Sequence, residues 1–191
     1  MKEGSRTQLL GISGSLREGS LNTKLLRAMS ELLPEGAALT VRSLADIPLY
    51  NGDLDVDGGP ASVRALKAEI DAAEGLIIAT PEYNYGVPGV LKNAIDWVSR
   101  PAYESVLVGK PVAIVGAAPG LLGTARAQGQ LRNVLFGTLA EVFPHPEVLL
   151  GQAQQRMNDG KLTDETSRKI VGDMLARFVG RIQRSARGPA P

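Results

Sequence analysis

The sequence predicts an α/β fold, a parallel sheet of five strands with helices on both faces. Short apolar runs alternate with apolar stripes of helical spacing, five times along the chain. Residues 75–80 and 111–116 are continuously apolar, as expected of strands covered on both faces. Right-handed crossovers then leave few ways to order five strands, and the order 2-1-3-4-5 fits.

Each element follows from local chemistry. Residues 8–12 form the first strand. Leu21, Leu25, Leu26 and Met29 recur at helical spacing after Ser20, a good N-cap, and Pro34-Glu35-Gly36 stops that helix. Leu39 and Val41 alternate with polar neighbours in the second strand. Residues 46–59 carry Pro48, Asn51-Gly52 and Gly58-Gly59 and read as a long loop. Pro60 suits the first turn of the next helix, whose inner face is Val63, Leu66 and Ile70. After the third strand, Val90, Leu91, Ala94, Ile95, Trp97 and Val98 give a helix more apolar positions than one stripe against a sheet requires. That excess predicts an exposed interface and hence a homo-oligomer, a dimer or a tetramer. Residues 124–143 read as one long helix interrupted by Gly129 and Gly137, and residues 148–150 as the fifth strand. Thr163 is the expected N-cap of the last helix, with Asp164 and Glu165 in its first turn and Ile170, Met174, Leu175 and Phe178 on its buried face. The whole is a flavodoxin-like three-layer sandwich spanning residues 1–184, with residues 185–191 as a flexible tail.

Composition narrows the function. Of 191 residues, 43% are apolar and 21% charged, and the formal net charge is +1. That balance points to no nucleic acid and no membrane surface as partner. The chain has no cysteine and one histidine, His145. A thiol nucleophile, a thiolate metal site and a histidine relay are therefore excluded. No apolar run is long enough to span a bilayer, and a cytoplasmic location is the expectation. Any redox chemistry must come from a bound organic cofactor.

In such folds ligands bind beyond the carboxyl ends of the strands, near the switch point. Three unusual loops fall there. The first, between residues 12 and 23, carries Ser13, Ser15, Arg17, Ser20 and Thr23 at the entrance to a helix. A helix N-terminus with unpaired N–H groups, hydroxyl donors and a guanidinium suits a phosphate monoester. It also fits an ordinary strand-to-helix turn capped by Ser20. The loop lacks both the dinucleotide G-x-G-x-x-G and the P-loop pattern. The second loop, Pro81-Glu82-Tyr83-Asn84-Tyr85-Gly86-Val87-Pro88-Gly89, can wall a flat heteroaromatic ring or form a rigid surface turn. The third, Ala117-Ala118-Pro119-Gly120-Leu121-Leu122-Gly123, permits close backbone approach or is a mobile connection. Together they suggest FMN, with phosphate at the first loop and the ring against the other two.

Here the resemblance becomes specific. G-S-L-R-E-G-S-L-N (residues 14–22), T-P-E-Y-N-Y-G-V-P-G-V-L-K-N-A-I-D-W (residues 80–97) and, loosely, the stretch from Gly120 through Ala125-Arg126-Ala127-Gln128 resemble the NADPH-dependent FMN reductase family. The branch they resemble most is that of the quinone and chromate reductases. The resemblance covers nearly the whole chain. It implies that Ser15, Arg17, Ser20, Leu21 and Asn22 hold the phosphate and ribityl chain of FMN, and that Pro81, Glu82, Tyr83 and Asn84 line the isoalloxazine. It places Ala118 and Gly120 beside the ring as well. Ala118 stands where the family usually has a serine, so contact there is expected through backbone alone. The implied activity is ping-pong transfer of hydride from NAD(P)H to FMN and of electrons to small molecules: a quinone, free flavin, azo, nitro or chromate acceptor. No side chain is required as acid, base or nucleophile. The competing class is a flavodoxin-type electron carrier without a substrate of its own. Such carriers tend to be strongly acidic, unlike this chain. A flavin-free binding protein on the same fold is a third class.

Several residues invite other readings. Trp97 lies in a helical pattern and reads as core or interface rather than a flavin-stacking group. His145, between two prolines, reads as structural. Glu82 could act as a general acid, but reads rather as a loop carboxylate near the flavin or an arginine's partner at an interface. Arg126 suits a nicotinamide phosphate and an interface salt bridge equally. Asp53, Asp55 and Asp57 resemble a metal loop, but Arg64 stands where the closing glutamate belongs.

Overall fold

The computed structural model describes residues 6–186. Strand β1 (Thr7–Ser13) runs parallel to β2 (Ala37–Arg42) on one side and to β3 (Gly75–Ala79) on the other, and β4 (Pro111–Ala117) lies beyond β3. The fifth position is shared. β5 (Glu141–Val142) pairs with the start of β4 and β6 (Val148–Leu150) with its end, so the sheet has the expected order β2-β1-β3-β4-β5. Pro144 and Pro146 lie between the two pieces and have no N–H to give the ladder. The expected fifth strand, residues 148–150, forms as β6, and β5 is an unexpected second piece at the same sheet edge.

Alternate residues of the buried strands face opposite layers. Ile77 and Ala79 of β3 pack with α1 (Leu21–Met29) and α6 (Glu165–Ala186). Leu76 and Ile78 pack with α2 (Ala61–Ala72), α3 (Gly89–Val98) and α4 (Ala125–Phe136). Pro60 stands just outside α2 as its N-cap rather than within its first turn. α4 ends far short of Phe143. Gly137 caps it, Thr138 donates its hydroxyl to Leu135 O at 2.7 Å, and Leu139 turns the chain at φ +61°. Residues 141–142 then join the sheet instead of the helix.

The chain between β6 and α6 holds elements without a sequence signal: α5 (Ala153–Arg156) and a hairpin of β7 (Met157–Asn158) and β8 (Lys161–Leu162). α6 is capped by Asp164, whose Oδ1 accepts from Ser167 N at 2.9 Å. Thr163, the expected cap, instead donates its hydroxyl to Arg156 O at 3.2 Å. Of the expected buried face, Ile170 is 44% exposed and points outward, and Val171 takes the inner position. α6 also takes in Ser185 and Ala186 from the expected tail. The rest of that tail, residues 187–191, lies outside the described residues.

The apolar excess of α3 is not an exposed interface. Leu91, Ala94, Ile95, Trp97 and Val98 are all buried, Trp97 completely. The long loop after β2 folds over them: Pro48 O accepts from Trp97 Nε1 at 2.9 Å and from Asn93 Nδ2 at 2.8 Å. The Tyr50 ring meets Trp97 edge-on with centroids 4.9 Å apart. A Trp with its N–H satisfied is a large source of burial energy, so this strap stabilises the chain on its own. Among the described residues, no helix is long and apolar enough to cross a membrane.

Two glycines test this packing in opposite senses. A Cβ at Gly116 would lie 2.7 Å from Thr80 O and collide with the Thr124 hydroxyl. Gly116→Ala is expected to lower unfolding free energy by about 2 kcal/mol or more in urea titrations. Gly129 lies inside α4 with open space where a Cβ would go. Gly129→Ala is expected to raise stability by about 0.5–1 kcal/mol. Equal effects of the two changes would contradict the close approach at Gly116.

Candidate functional site

At the carboxyl ends of β1, β3 and β4 the three loops meet around a shallow cleft of about 70 Å³. Ser15, Arg17, Ser20, Leu21 and Asn22 form one wall, Pro81, Glu82 and Tyr83 a second, and Ala117, Ala118 and Pro119 a third. Of the expected site residues, only Asn84 and Gly120 do not line it. Ala117 and Pro119 line it without being singled out from sequence, although both belong to the same loop.

The first loop ends in a capped helix. Ser20 N donates to Arg17 O at 3.0 Å, and Ser20 Oγ accepts from Thr23 N at 3.2 Å. The first turn of α1 carries no acidic side chain, so its positive end is not neutralised by the helix itself. The Arg17 side chain is exposed and joins no ion pair among the described residues. Asn22 has another task besides facing the cleft. Its Nδ2 donates to Ala117 O and its Oδ1 accepts from Ala117 N, both at 2.9 Å, which ties α1 to the end of β4. Ser13 and Thr23, also read as phosphate donors, bond each other at 2.8 Å and line a different cavity behind the loop.

The second loop is a tight turn. Tyr83 and Gly86 exchange backbone bonds, Gly86 N to Tyr83 O at 3.0 Å and Tyr83 N to Gly86 O at 3.3 Å. Asn84 and Tyr85 both have positive φ, +50° and +65°, the signature of a type I′ turn. Asn84 serves this geometry, because its short side chain tolerates the left-handed region. Tyr83 Oη lies 3.5 Å from Ser15 Oγ, across the cleft.

Glu82 anchors the turn from below. Its carboxylate accepts from Arg126 N at 2.9 Å, Ala127 N at 3.1 Å and Arg126 Nη1 at 3.0 Å. It thereby caps α4 from a distant loop, while the formal N-cap, Thr124, makes no side-chain capping bond. Arg126 also lies over the Tyr85 ring, 4.1 Å from its centroid. This ion pair closes within one chain, which corrects the idea that Glu82 and Arg126 bond across an interface. Burial pushes the Glu82 carboxyl up, but hydrogen bonds from Ala127 N–H and from the side chain and N–H of Arg126 outweigh it. The net effect holds the carboxyl below its ordinary range.

The third loop is braced rather than loose. Ala118 N donates to Leu150 O and Ala118 O accepts from Ala153 N, both at 3.0 Å. Gly120 O accepts from Gln152 N at 2.9 Å. The backbone N–H and C=O of Ala118 are therefore both engaged in bracing the loop. His145 lies elsewhere, its Nδ1 2.8 Å from Pro146 O and its ring stacked on Phe143, as the structural reading expects.

Residues 7–155 match the model of the NADPH-dependent FMN reductase family. The chain belongs to that family. An NAD(P)H-dependent FMN reductase of Pseudomonas aeruginosa is 44% identical over 169 residues, 88% of this chain and 91% of that one. A quinone reductase of Escherichia coli K12 is 40% identical over 183 residues, 94% and 97% of the two chains. Among solved structures, the flavoenzyme FerB of Paracoccus denitrificans, an NAD(P)H:(acceptor) oxidoreductase, aligns with a TM-score of 0.84 and 36% identity over 93% of this chain and 98% of that one. Like other members of the FMN reductase family, the chain is an oxidoreductase that uses FMN and NAD(P)H. The cleft's chemistry fits FMN: a cationic end at Arg17 and the α1 terminus, and a largely apolar end formed by Pro81, Tyr83, Ala118 and Pro119.

Glu82→Gln is expected to cost about 1–2 kcal/mol at pH 7, the loss of a charged cap. A carboxyl depressed in the fold contributes fully above its unfolded pKa, about 4.3, and loses that contribution as pH falls through the folded value. The stability gap between the native chain and Glu82→Gln should therefore close below about pH 4. A gap constant from pH 7 to pH 3 in urea titrations would show that the charge is not what stabilises the cap.

Proposed function

We propose that this reductase passes electrons from NAD(P)H to quinones and related small acceptors, with both substrates using one cleft mouth in turn. The observation that carries this reading is the convergence of three loops with a cationic end and an apolar end. Relatives named quinone reductase, in Escherichia coli and Pseudomonas putida, support the acceptor class. Free flavins, azo dyes, nitroaromatics and chromate are further acceptors under the same reading. Bound FMN supplies the hydride and electron transfer.

The chain's own residues bind and orient. Arg17 and the α1 N-terminus hold the phosphate by charge-assisted bonds, with Ser15 and Ser20 as hydroxyl donors. Leu21 and Asn22 border the ribityl chain, Asn22 chiefly by fixing the distance between the first and third loops. Pro81 and Tyr83 wall the ring on one side and Ala118 with Pro119 on the other, while Glu82 holds its wall in place. Asn84 and Gly120 shape their loops outside the contact surface. The donor is supplied in the cytoplasm, where we place the protein. We also propose a homodimer or homotetramer. With α3 internally covered, its support is the exposure of Tyr103, Phe136, Leu121 and Leu122, at 72%, 79%, 78% and 62%.

Arg17→Ala is expected to weaken FMN binding roughly ten- to a hundredfold with little change in unfolding midpoint, since a hydrogen bond to a charged group contributes about 1.5–3 kcal/mol. Unchanged affinity in a flavin titration would remove the phosphate assignment. With a quinone acceptor, initial rates should give parallel double-reciprocal lines, and anaerobic NAD(P)H alone should bleach the bound flavin's absorbance. Intersecting lines without bleaching would mean that both substrates bind together.

A further inference from the structure

A second cavity of about 410 Å³ lies behind the first loop, between α1 and the carboxyl end of β2. Ser15 and Arg17 line both it and the flavin cleft, so the two cavities are neighbours across one stretch of backbone. Its wall is mixed: hydroxyls from serines and Thr23, guanidinium groups from Arg17, Arg27 and Arg42, the Glu18 carboxylate, and the apolar side chains of Leu16 and Val41. Thr23 and Arg27 sit four residues apart on one face of α1.

The arginines near the two cavities are not equivalent. Arg126 is neutralised by Glu82, and Arg42 by Asp46 at 2.8 Å and Glu69 at 3.0 Å. Arg17 and Arg27 are in no ion pair among the described residues. The proposed function assigns Arg17 to the flavin phosphate. Arg27 is then an uncommitted cation over a cavity rich in hydroxyls, large enough for more than a water molecule. Completing the dipole at the end of α1 would leave it on the surface without requiring a cavity. In dinucleotide-binding folds of the doubly wound class, whose glycine fingerprint this chain lacks, the end of the second strand is where the ribose 2′ position is read, with an arginine taking a 2′-phosphate.

We propose that this cavity is a second phosphate monoester site, with Arg27 as the residue that determines selectivity and the 2′-phosphate of NADPH as its occupant. The inference rests on the reductase reading given above, because the occupant is the electron donor of that reaction. Neighbouring cavities allow one donor molecule to lie across the first loop, its nicotinamide at the cleft mouth and its adenosine end behind. The same chemistry would also take the 5′-phosphate of a free flavin acceptor.

The test uses the FMN-saturated full chain and its Arg27→Gln and Arg27→Lys variants. Calorimetric binding of adenosine 2′,5′-bisphosphate should weaken about tenfold or more in Arg27→Gln and only a few-fold in Arg27→Lys. The KM for NADPH should rise by a similar factor relative to that for NADH, measured with a quinone acceptor. If instead the bisphosphate is unaffected while the KM for free FMN as acceptor rises relative to that for riboflavin, the site binds a monoester but the donor is overturned as its source. If neither pair of ligands responds to Arg27→Gln, in protein with an unchanged thermal midpoint, the cavity binds no phosphate and the inference fails. That failure is separable from failure of the reductase reading. A chain that holds FMN and oxidises NADH, yet ignores Arg27, loses this inference alone. A chain that takes up no FMN loses the earlier reading, and bisphosphate binding remains measurable on it.

Discussion

The two bonds between Asn22 and Ala117 set the dimensions of the site. Asn22 is almost fully buried, and both ends of its amide are matched to one residue's backbone N–H and C=O, at 2.9 Å each. A side chain of another shape would leave those two backbone groups without partners in the interior, and each unsatisfied group costs about 1–3 kcal/mol. The consequence reaches beyond stability. α1 carries the cationic end of the cleft, and β4 leads into its third wall. A fixed Asn22 therefore fixes the span between phosphate and ring, which a two-ended ligand must match.

A second constraint acts on a different wall. Glu82 reaches from the loop after β3 to the N–H groups at the start of α4, and Arg126 closes the contact from above. The third loop is held separately, by the backbone of residues 150–153. Each wall of the cleft is thus anchored to a different part of the sheet's carboxyl edge. Preorganisation of this kind lowers the ordering cost of binding a flat, rigid ligand.

Much of this was legible in the sequence because it depends on local chemistry. A serine before Leu21 caps α1 wherever the chain goes next, and short continuous apolar runs bounded by turn residues read as buried strands. The crowding of hydroxyls, arginine, prolines and tyrosines into loops after strands 1 and 3 located the cleft through topology. The errors share another cause. Trp97 reads as surplus on α3 because its cover is supplied by Pro48 and Tyr50, far away in sequence. The capping role of Glu82 escapes the sequence because the helix it caps begins more than forty residues later. Residues 137–142 read as helix because only the sheet edge beside β4 pulls Glu141 and Val142 into a strand. Long-range partners that override local pattern leave no periodic trace.

The anchored floor contrasts with the rim. Tyr83, 47% exposed, lines the cleft, Tyr85 next to it in the turn is 66% exposed, and Leu121 and Leu122 are exposed on the third loop. Tyr85 is nonetheless held in shape, by its left-handed turn and by the Arg126 guanidinium against its ring. An apolar, exposed but ordered rim discriminates weakly among planar molecules, because one more ring atom or substituent changes burial by only about 1–3 kcal/mol. Under the proposed function, such a rim sorts acceptors loosely, while a phosphate-bearing donor would be sorted by charge. Around the first loop, Arg42 is paired with carboxylates, whereas Arg17, which lines both cavities, and Arg27, which lines the one behind the loop, join no ion pair among the described residues. The proposed function uses that division, with planar acceptors at the apolar rim and phosphates at the cationic loop.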